Sequence, residues 1–290
     1  MIKKLLFITT VISSMAFSFK GKKDDKPAYK IFNSEGKEVS YDDMVKDLLK
    51  KEVNFFGELH NNPIAHWLQL QLTKEFYESK KDKLVLAAEM FEADDQIIMD
   101  EYLSGAISEK SFKDETKLWP NYETDYKPLV EFAKTNKLAF ICANVPRRYA
   151  SIVYKKGLEK LDSLDPDGKK CIAPLPIEYD GAVKCYKEML ENSGGHGGYN
   201  LPKAQAIKDA TMGWFVSQAM KEDGMVLHFN GSYHSDNGVG IIWYLKKYKA
   251  EVKVGTVTTV LQTDLDKLLE ENKGKADFII VVPEDMTTTH

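Results

Sequence analysis

The sequence predicts an α/β protein in three layers: a mostly parallel or mixed β-sheet, helices on both faces, and a helical or loop insertion that acts as a lid. Three observations predict it. Short apolar runs rich in β-prone residues alternate with longer stretches of helical spacing, the pattern of repeated β-α units. Two of those runs, Val53 to Phe56 and Met225 to Phe229, lead into a Gly-x-x-His turn and then into helix-like sequence. The chain also has 290 residues with 43% hydrophobic composition, enough for one large core.

Residues 1–18 have the layout of a secretory signal: a charged start at Lys3 and Lys4, an apolar middle from Leu5, and small residues at Ala16-Phe17-Ser18. The apolar run is shorter than the roughly 20 residues that span a bilayer, so export to the periplasm or beyond is expected. No cysteine precedes Cys142, so a lipoprotein is not expected. A polar leader at 19–27 precedes one folded domain, 28–290, with an insertion at 157–200.

Within that domain Tyr29 to Asn33 reads as a starter strand. Ser40 caps a short helix ending near Leu49, because its hydroxyl can accept from the free amides of the first turn. The short apolar run that starts at Val53 is a buried strand, ending in Gly57, Glu58 and His60. Pro63 then suits the first turn of a helix running to Tyr77, with Ile64, Trp67, Leu68, Leu70, Leu72 and Phe76 at helical spacing. Leu84 to Ala88 is a strand ending at Glu89, and Asp94 to Leu103 a helix. A loop containing Trp119-Pro120-Asn121-Tyr122-Glu123 leads to a helix at Pro128 to Thr135. Leu138 to Ala143 is a strand that passes through Asn144-Val145-Pro146 into another helix. Pro166, Pro174 and Pro176 interrupt periodicity in the insertion. Leu201 to Ala219 is a long helix, and Met225 to Phe229, Ile241 to Tyr248, Val252 to Val257, Asp264 to Glu271 and Phe278 to Val282 alternate strand and helix to the end.

The balance of 40 Lys and Arg against 44 Asp and Glu leaves no basic excess, so no nucleic-acid partner is expected. There is no glycine-rich phosphate loop and no Cys-x-x-Cys pair. Cys142 reads as core, while Cys171 and Cys185 either pair in an oxidising compartment or stay free.

The chemistry gathers at strand ends: Glu58 and His60, Glu89, Asn144 and Arg147, Asn230 and His234. Parallel strands would bring these ends to one crevice. Two imidazoles and two carboxylates there suit general acid–base catalysis by Glu58, His60, Glu89, Arg147 and His234, or a divalent Mn, Co or Zn ion held by His60, Glu89 and His234. Singly, each histidine reads equally as a cap or core residue, but the matched pair favours a site. The glycine of each turn is expected to give a tight strand exit. Glu89 ends an apolar strand, where a carboxylate needs a partner. Arg147 and Arg148 are the only arginines in the chain, and a guanidinium fork grips a carboxylate or phosphate at two points. His66 reads as a solvent-facing or capping residue, His228 as core and His290 as without a role. His196 and Tyr199 stand in the glycine-rich part of the insertion and are the candidate cofactor ligands, since both residue types ligate haem iron. A plain flexible loop is the competing reading.

Taken together, Gly57-Glu58-Leu59-His60 with Asn61-Asn62-Pro63, Glu89-Met90-Phe91, Asn144-Val145-Pro146-Arg147, Ala204-Gln205, Lys208-Asp209-Ala210-Thr211-Met212 and Gly231-Ser232-Tyr233-His234 resemble the ChaN-type haem-binding proteins, over Val53 to Tyr244. The resemblance implies an exported protein, often a lipoprotein, that holds haem in a pocket shared between subunits. A homodimer working with outer-membrane uptake machinery goes with that role. It also implies a superfamily that includes erythromycin esterases, TraB-like proteins and the Tiki metalloproteases, in which two Gly-x-x-His motifs, an acid and an arginine form the active centre. Carried across, these are His60, Glu89, Arg147 and His234, with Glu58 beside them. The missing lipobox cysteine departs from the pattern. The expected function is therefore exported haem binding for haem or iron uptake or storage. The alternative is a metal-dependent peptidase or esterase, with Glu58 or Glu89 as base; the third reading is a scaffold that holds a small carboxylate through Arg147.

Overall fold

The structure, a computed structural model, describes residues 26–192 and 198–290. The expected signal segment, most of the leader and His196 lie outside the described residues. In chain order the elements are β1 (Lys30–Asn33), α1 (Tyr41–Leu48), β2 (Val53–Glu58), α2 (Pro63–Lys80), β3 (Leu84–Glu92), α3 (Gln96–Ser104), α4 (Glu109–Glu115), α5 (Lys127–Asn136), β4 (Ala139–Asn144), α6 (Arg147–Lys156), α7 (Pro166–Lys170), α8 (Lys184–Asn192), α9 (Leu201–Ala219), β5 (Met225–Gly231), α10 (Ile241–Tyr248), β6 (Val254–Gln262) and β7 (Phe278–Pro283).

Local chemistry sets several of these boundaries. Ser40 caps α1 by accepting from the Asp43 amide at 3.1 Å, and Asn62 caps α2 by accepting from Ala65 at 2.9 Å. Pro63 occupies the first position of α2, where a missing amide costs nothing.

The strands form one sheet in the order β1-β7-β6-β2-β5-β3-β4, parallel throughout except for the antiparallel pairing of β1 with β7. This is the mixed, three-layer sheet expected. All six residues of β2 are buried because both of its faces are covered. Alternate side chains divide between the layers: Phe56 and Leu86 join the core with α1, α2, α3 and α5, whereas Val53, Phe55 and Val85 meet Met212 and Val216 of α9 and Ile241 and Leu245 of α10.

Connections from the two central strands leave in opposite directions. The chain from β2 travels through α2 toward β3, and the chain from β5 travels through α10 toward β6. The carboxyl ends of β2 and β5 therefore flank a topological switch point, the place where an open α/β sheet has a crevice.

One expectation about the elements needs correction. Asp264 to Glu271 is not a helix; it is a loop closed by a single 3₁₀ turn, Glu270–Asn272. The Gln262 side chain organises it, donating to the carbonyls of Asp264 and Lys267 and accepting from Leu269 N and Asn272 Nδ2. Glu109–Glu115 adds a short helix, capped by Ser108. Of the two readings left open for Cys171 and Cys185, the structure has both free, in different apolar clusters: Cys171 beside α6 and Cys185 on α8.

Candidate functional site

At the switch point the two Gly-x-x-His turns interlock. A Cβ on Gly231 would lie 2.6 Å from Nε2 of His60, and one on Gly57 would lie 2.9 Å from the Cα of Ser232. Each glycine makes room for part of the other motif. Neither has a positive φ, so the expectation that glycine serves a tight strand exit is replaced by close approach. The cleft formed here has a volume of about 430 Å³ and is lined by Glu58, His60, Asn61, Ser232, Tyr233 and His234.

Behind the first turn lies a buried carboxylate. Glu58 is 1% exposed and uses both oxygens: Oε1 accepts from Tyr126 Oη and from His60 Nδ1, each at 2.8 Å, and Oε2 accepts from Gln69 Nε2 at 2.5 Å. His60 gives Nδ1–H to Glu58, so in the neutral ring Nε2, packed against Gly231, is the acceptor. Burial alone would lower the pKa of His60, but the hydrogen bond to Glu58 and the charge of Glu89 outweigh it and raise the value. The indole of Trp119 meets the imidazole edge-on, with centroids 4.8 Å apart.

His66 is buried, against expectation. Its Nε2 lies 3.2 Å from the His60 carbonyl and 3.3 Å from Asp125 Oδ2, and its Nδ1 lies 3.2 Å from Gln69 Oε1. Asn121 completes this layer by donating to the His60 carbonyl at 2.8 Å and to Asp125 at 2.6 Å.

The second turn is held by two acids. His234 stands between Glu89 Oε1, 3.1 Å from its Nε2, and Asp209 Oδ1, which its Nδ1 contacts. Glu89 Oε2 also accepts from the Gly231 amide at 2.8 Å, and Asp209 Oδ2 accepts from Tyr186 Oη at 2.7 Å. Gln205 Nε2 lies 3.0 Å from both ring nitrogens of His234. Burial would lower the His234 pKa, yet the two acids raise it to about 10. The same pairing reverses the effect of burial on Glu89 and holds it well below the usual carboxylate range. In Asp209 burial prevails, and its pKa is raised. His228 is core, as expected, with burial lowering its pKa to about 4.

Among the described residues no group of three or more His, Cys, Asp or Glu side chains is disposed to hold a metal ion. The expected set of His60, Glu89 and His234 is committed internally, His234 to two carboxylates and Glu89 to His234 and a backbone amide.

Arg147 does not join the histidines. β4 is an edge strand three positions from β2, a separation of roughly 14 Å at the usual strand spacing. Arg147 instead lines a neighbouring cleft whose wall includes Trp119. Tyr199 precedes α9, is 82% exposed, and makes no hydrogen bond among the described residues. The last residues return to the site. Thr289 N donates to the Asn61 carbonyl at 3.0 Å and Thr289 Oγ1 to Asp125 Oδ2 at 2.7 Å, so that His290, expected to have no role, lines the cleft of His60 and His234.

Sequence reading gave no role to the residues that hold the histidines: Gln69, Asn121, Asp125, Tyr126 and Tyr186, and also Gln205 and Asp209, which entered only within the motifs of the resemblance. Some signal was there. His66, Gln69 and Thr73 put a polar stripe on the buried side of α2, and Gln205 and Asp209 sit one turn apart in α9 among the buried Ala206, Ile207, Ala210 and Met212.

Fold and site together define an α/β protein with a cleft at a topological switch point, built from paired Gly-x-x-His turns. A family model described as haem-binding uptake, Tiki superfamily, ChaN matches residues 44–245, and the chain belongs to that family. No curated protein matches by sequence. Among solved structures, ChaN of Campylobacter jejuni, described as showing cofacial heme binding, is similar with a TM-score of 0.64 and 19% identity, covering 88% of this chain and 96% of that one. The type III effector HopBA1 aligns with a TM-score of 0.48 and 10% identity, over 83% of this chain and 92% of its own. An erythromycin esterase mutant in its open conformation aligns with a TM-score of 0.46 and 10% identity, over 88% of this chain and 83% of its own.

Proposed function

We propose that this protein is exported and binds haem for haem or iron uptake or storage. The observation that carries the reading is the match to a haem-binding family across most of the folded chain. The described residues offer a donor that fits the group: the Tyr199 phenol is exposed beside the strand-end rim and has no competing hydrogen bond among them. A phenolate is a haem-iron ligand, and His196 is the second candidate in the same segment. Bound iron would supply the Lewis acid that such a ligand recognises; the chain supplies the donor and the apolar surface. Tyr199 stands on an open face, so a second copy of the chain is the natural cover for the other side of a flat ligand, as the cofacial heme of the Campylobacter protein suggests. Outer-membrane uptake machinery is the partner that this role implies, and among the described residues no helix is long and apolar enough to cross a membrane.

The test is a haemin titration of the chain from residue 19 onward, followed in the Soret region. Saturable binding is expected, with a spectrum that changes in Tyr199→Phe or His196→Ala. No Soret change at any haemin concentration would refute the reading.

A second reading draws on His60. Its Nδ1 is tied to Glu58 and its partly exposed ring lines the cleft, the arrangement of an oriented general base. Ester hydrolysis that disappears in His60→Ala would support it.

A further inference from the structure

The chain has only two arginines, and both line one cavity of about 710 Å³, next to the His60 cleft. Its walls are Leu118, Trp119 and Pro120 on one side and the first turn of α6 on the other. Two of its three cations are already neutralised. Lys117 Nζ is held by Glu92 at 2.9 Å and Asp94 at 3.0 Å, while Arg148 contacts Asp94 and covers the Tyr149 ring at 4.4 Å. Arg147 is exposed and has no ion pair or hydrogen bond among the described residues. Asp95 also lies 3.8 Å from Lys117, so the acids here are engaged by Lys117 and Arg148. The unpaired Arg147 guanidinium beside an indole complements one kind of ligand: a carboxylate carried on a flat apolar body. A small inorganic anion would leave the Trp119 wall unused.

The same rim carries Tyr199. α6 follows β4 and α9 precedes β5, so both helices begin at the carboxyl edge of the sheet, and they pack together through Tyr149, Ala150, Val153, Ala204 and Ile207. Arg147 opens α6, and Tyr199 stands just before α9.

We propose that this cleft holds the carboxylate end of the ligand, with Arg147 gripping it at two points and Trp119 lying against the apolar body. The inference rests on the haem reading, in which the ligand is a porphyrin dicarboxylate.

The test uses iron-free protoporphyrin IX and its dimethyl ester, titrated into the full-length chain and followed by quenching of tryptophan fluorescence, with haemin titrated in parallel. The free acid is expected to bind at least tenfold more tightly than the ester. Arg147→Ala should remove that preference, with Arg147→Lys restoring only part of it. Arg147 is exposed, so an unchanged melting temperature will show that the variants fold. Equal affinity for acid and ester, or an Arg147→Ala variant that keeps the preference, overturns the inference; if haemin still gives its Soret change, the haem reading survives. Arg147-dependent binding of the free acid without any haemin Soret change would instead support the cleft and refute iron ligation. No binding of either porphyrin or haemin overturns both.

Discussion

Nε2 of His60 occupies the space in which a side chain on Gly231 would begin, 2.6 Å from where its Cβ would stand. The catalytic-looking histidine of the first motif is thus positioned by the absence of an atom in the second. Gly57 reciprocates by admitting the Ser232 backbone. The two Gly-x-x-His turns are one structural unit, because neither can change its glycine without displacing the other.

The two glycines should therefore fail differently. In Gly231→Ala the clash is with the end of an imidazole, which can swing away, and the backbone there has φ −57°, open to any residue. The expected cost is about 1 kcal/mol, with a displaced His60 and an altered imidazole titration in NMR. In Gly57→Ala the clash is with backbone, which has nowhere to go, so a loss nearer 3 kcal/mol is expected by denaturant unfolding. Equal losses would contradict this assignment.

Much of the fold was legible because its signals are local. The place of β2, the Asn62-Pro63 start of α2 and the length of α9 follow from apolar spacing and caps. The Asp264 to Glu271 helix failed because a single side chain, Gln262, satisfies that loop's backbone from outside the segment. In the site, strand-end residues were legible since parallel strands share an edge. What holds them was not, since Asp209, Gln205, Asp125 and Tyr126 arrive from helices and loops distant in sequence. The position of Arg147 depends on strand order, and nothing in the sequence reveals that β4 lies at the sheet edge.

Tyr126 tests how far Glu58 depends on its donors. Its hydroxyl is one of three groups that bond the buried carboxylate, and Tyr126→Phe removes it without changing the packed ring. A loss of about 1–3 kcal/mol is expected on unfolding, as for any buried charge deprived of a partner. An unchanged stability would mean that Gln69 and His60 alone suffice.

The His234–Glu89 pair sets a pH window. The pKa of His234 is raised to about 10 from its ordinary 6.5, so its contribution is complete below 6.5 and is lost as pH rises toward 10. Glu89 is held below its ordinary 4.5, so its contribution is complete above 4.5 and is lost in acid. The pair is at full strength between those two ordinary values. Melting temperatures measured from pH 6 to 10 should fall in the native protein and stay flatter in His234→Gln. Parallel curves would remove His234 as the cause.

The segment Thr287–His290 covers the same cleft from outside. Its two hydrogen bonds end on Asn61, beside His60, and on Asp125, which Asn121 and His66 already hold behind the imidazole. The segment is thus fastened to the network that fixes His60, and with His290 in the lining it narrows access to a side chain that is 38% exposed. A chain ending at Met286 loses two partly exposed hydrogen bonds, an expected cost of about 1–2 kcal/mol. The larger effect should be kinetic: His60 should react several times faster with diethyl pyrocarbonate, as followed by mass spectrometry of the modified peptide. Thr289→Val, which removes only the side-chain bond, should fall between the two. If all three proteins react at one rate, the segment does not guard the cleft, and its contacts with Asn61 and Asp125 serve stability alone.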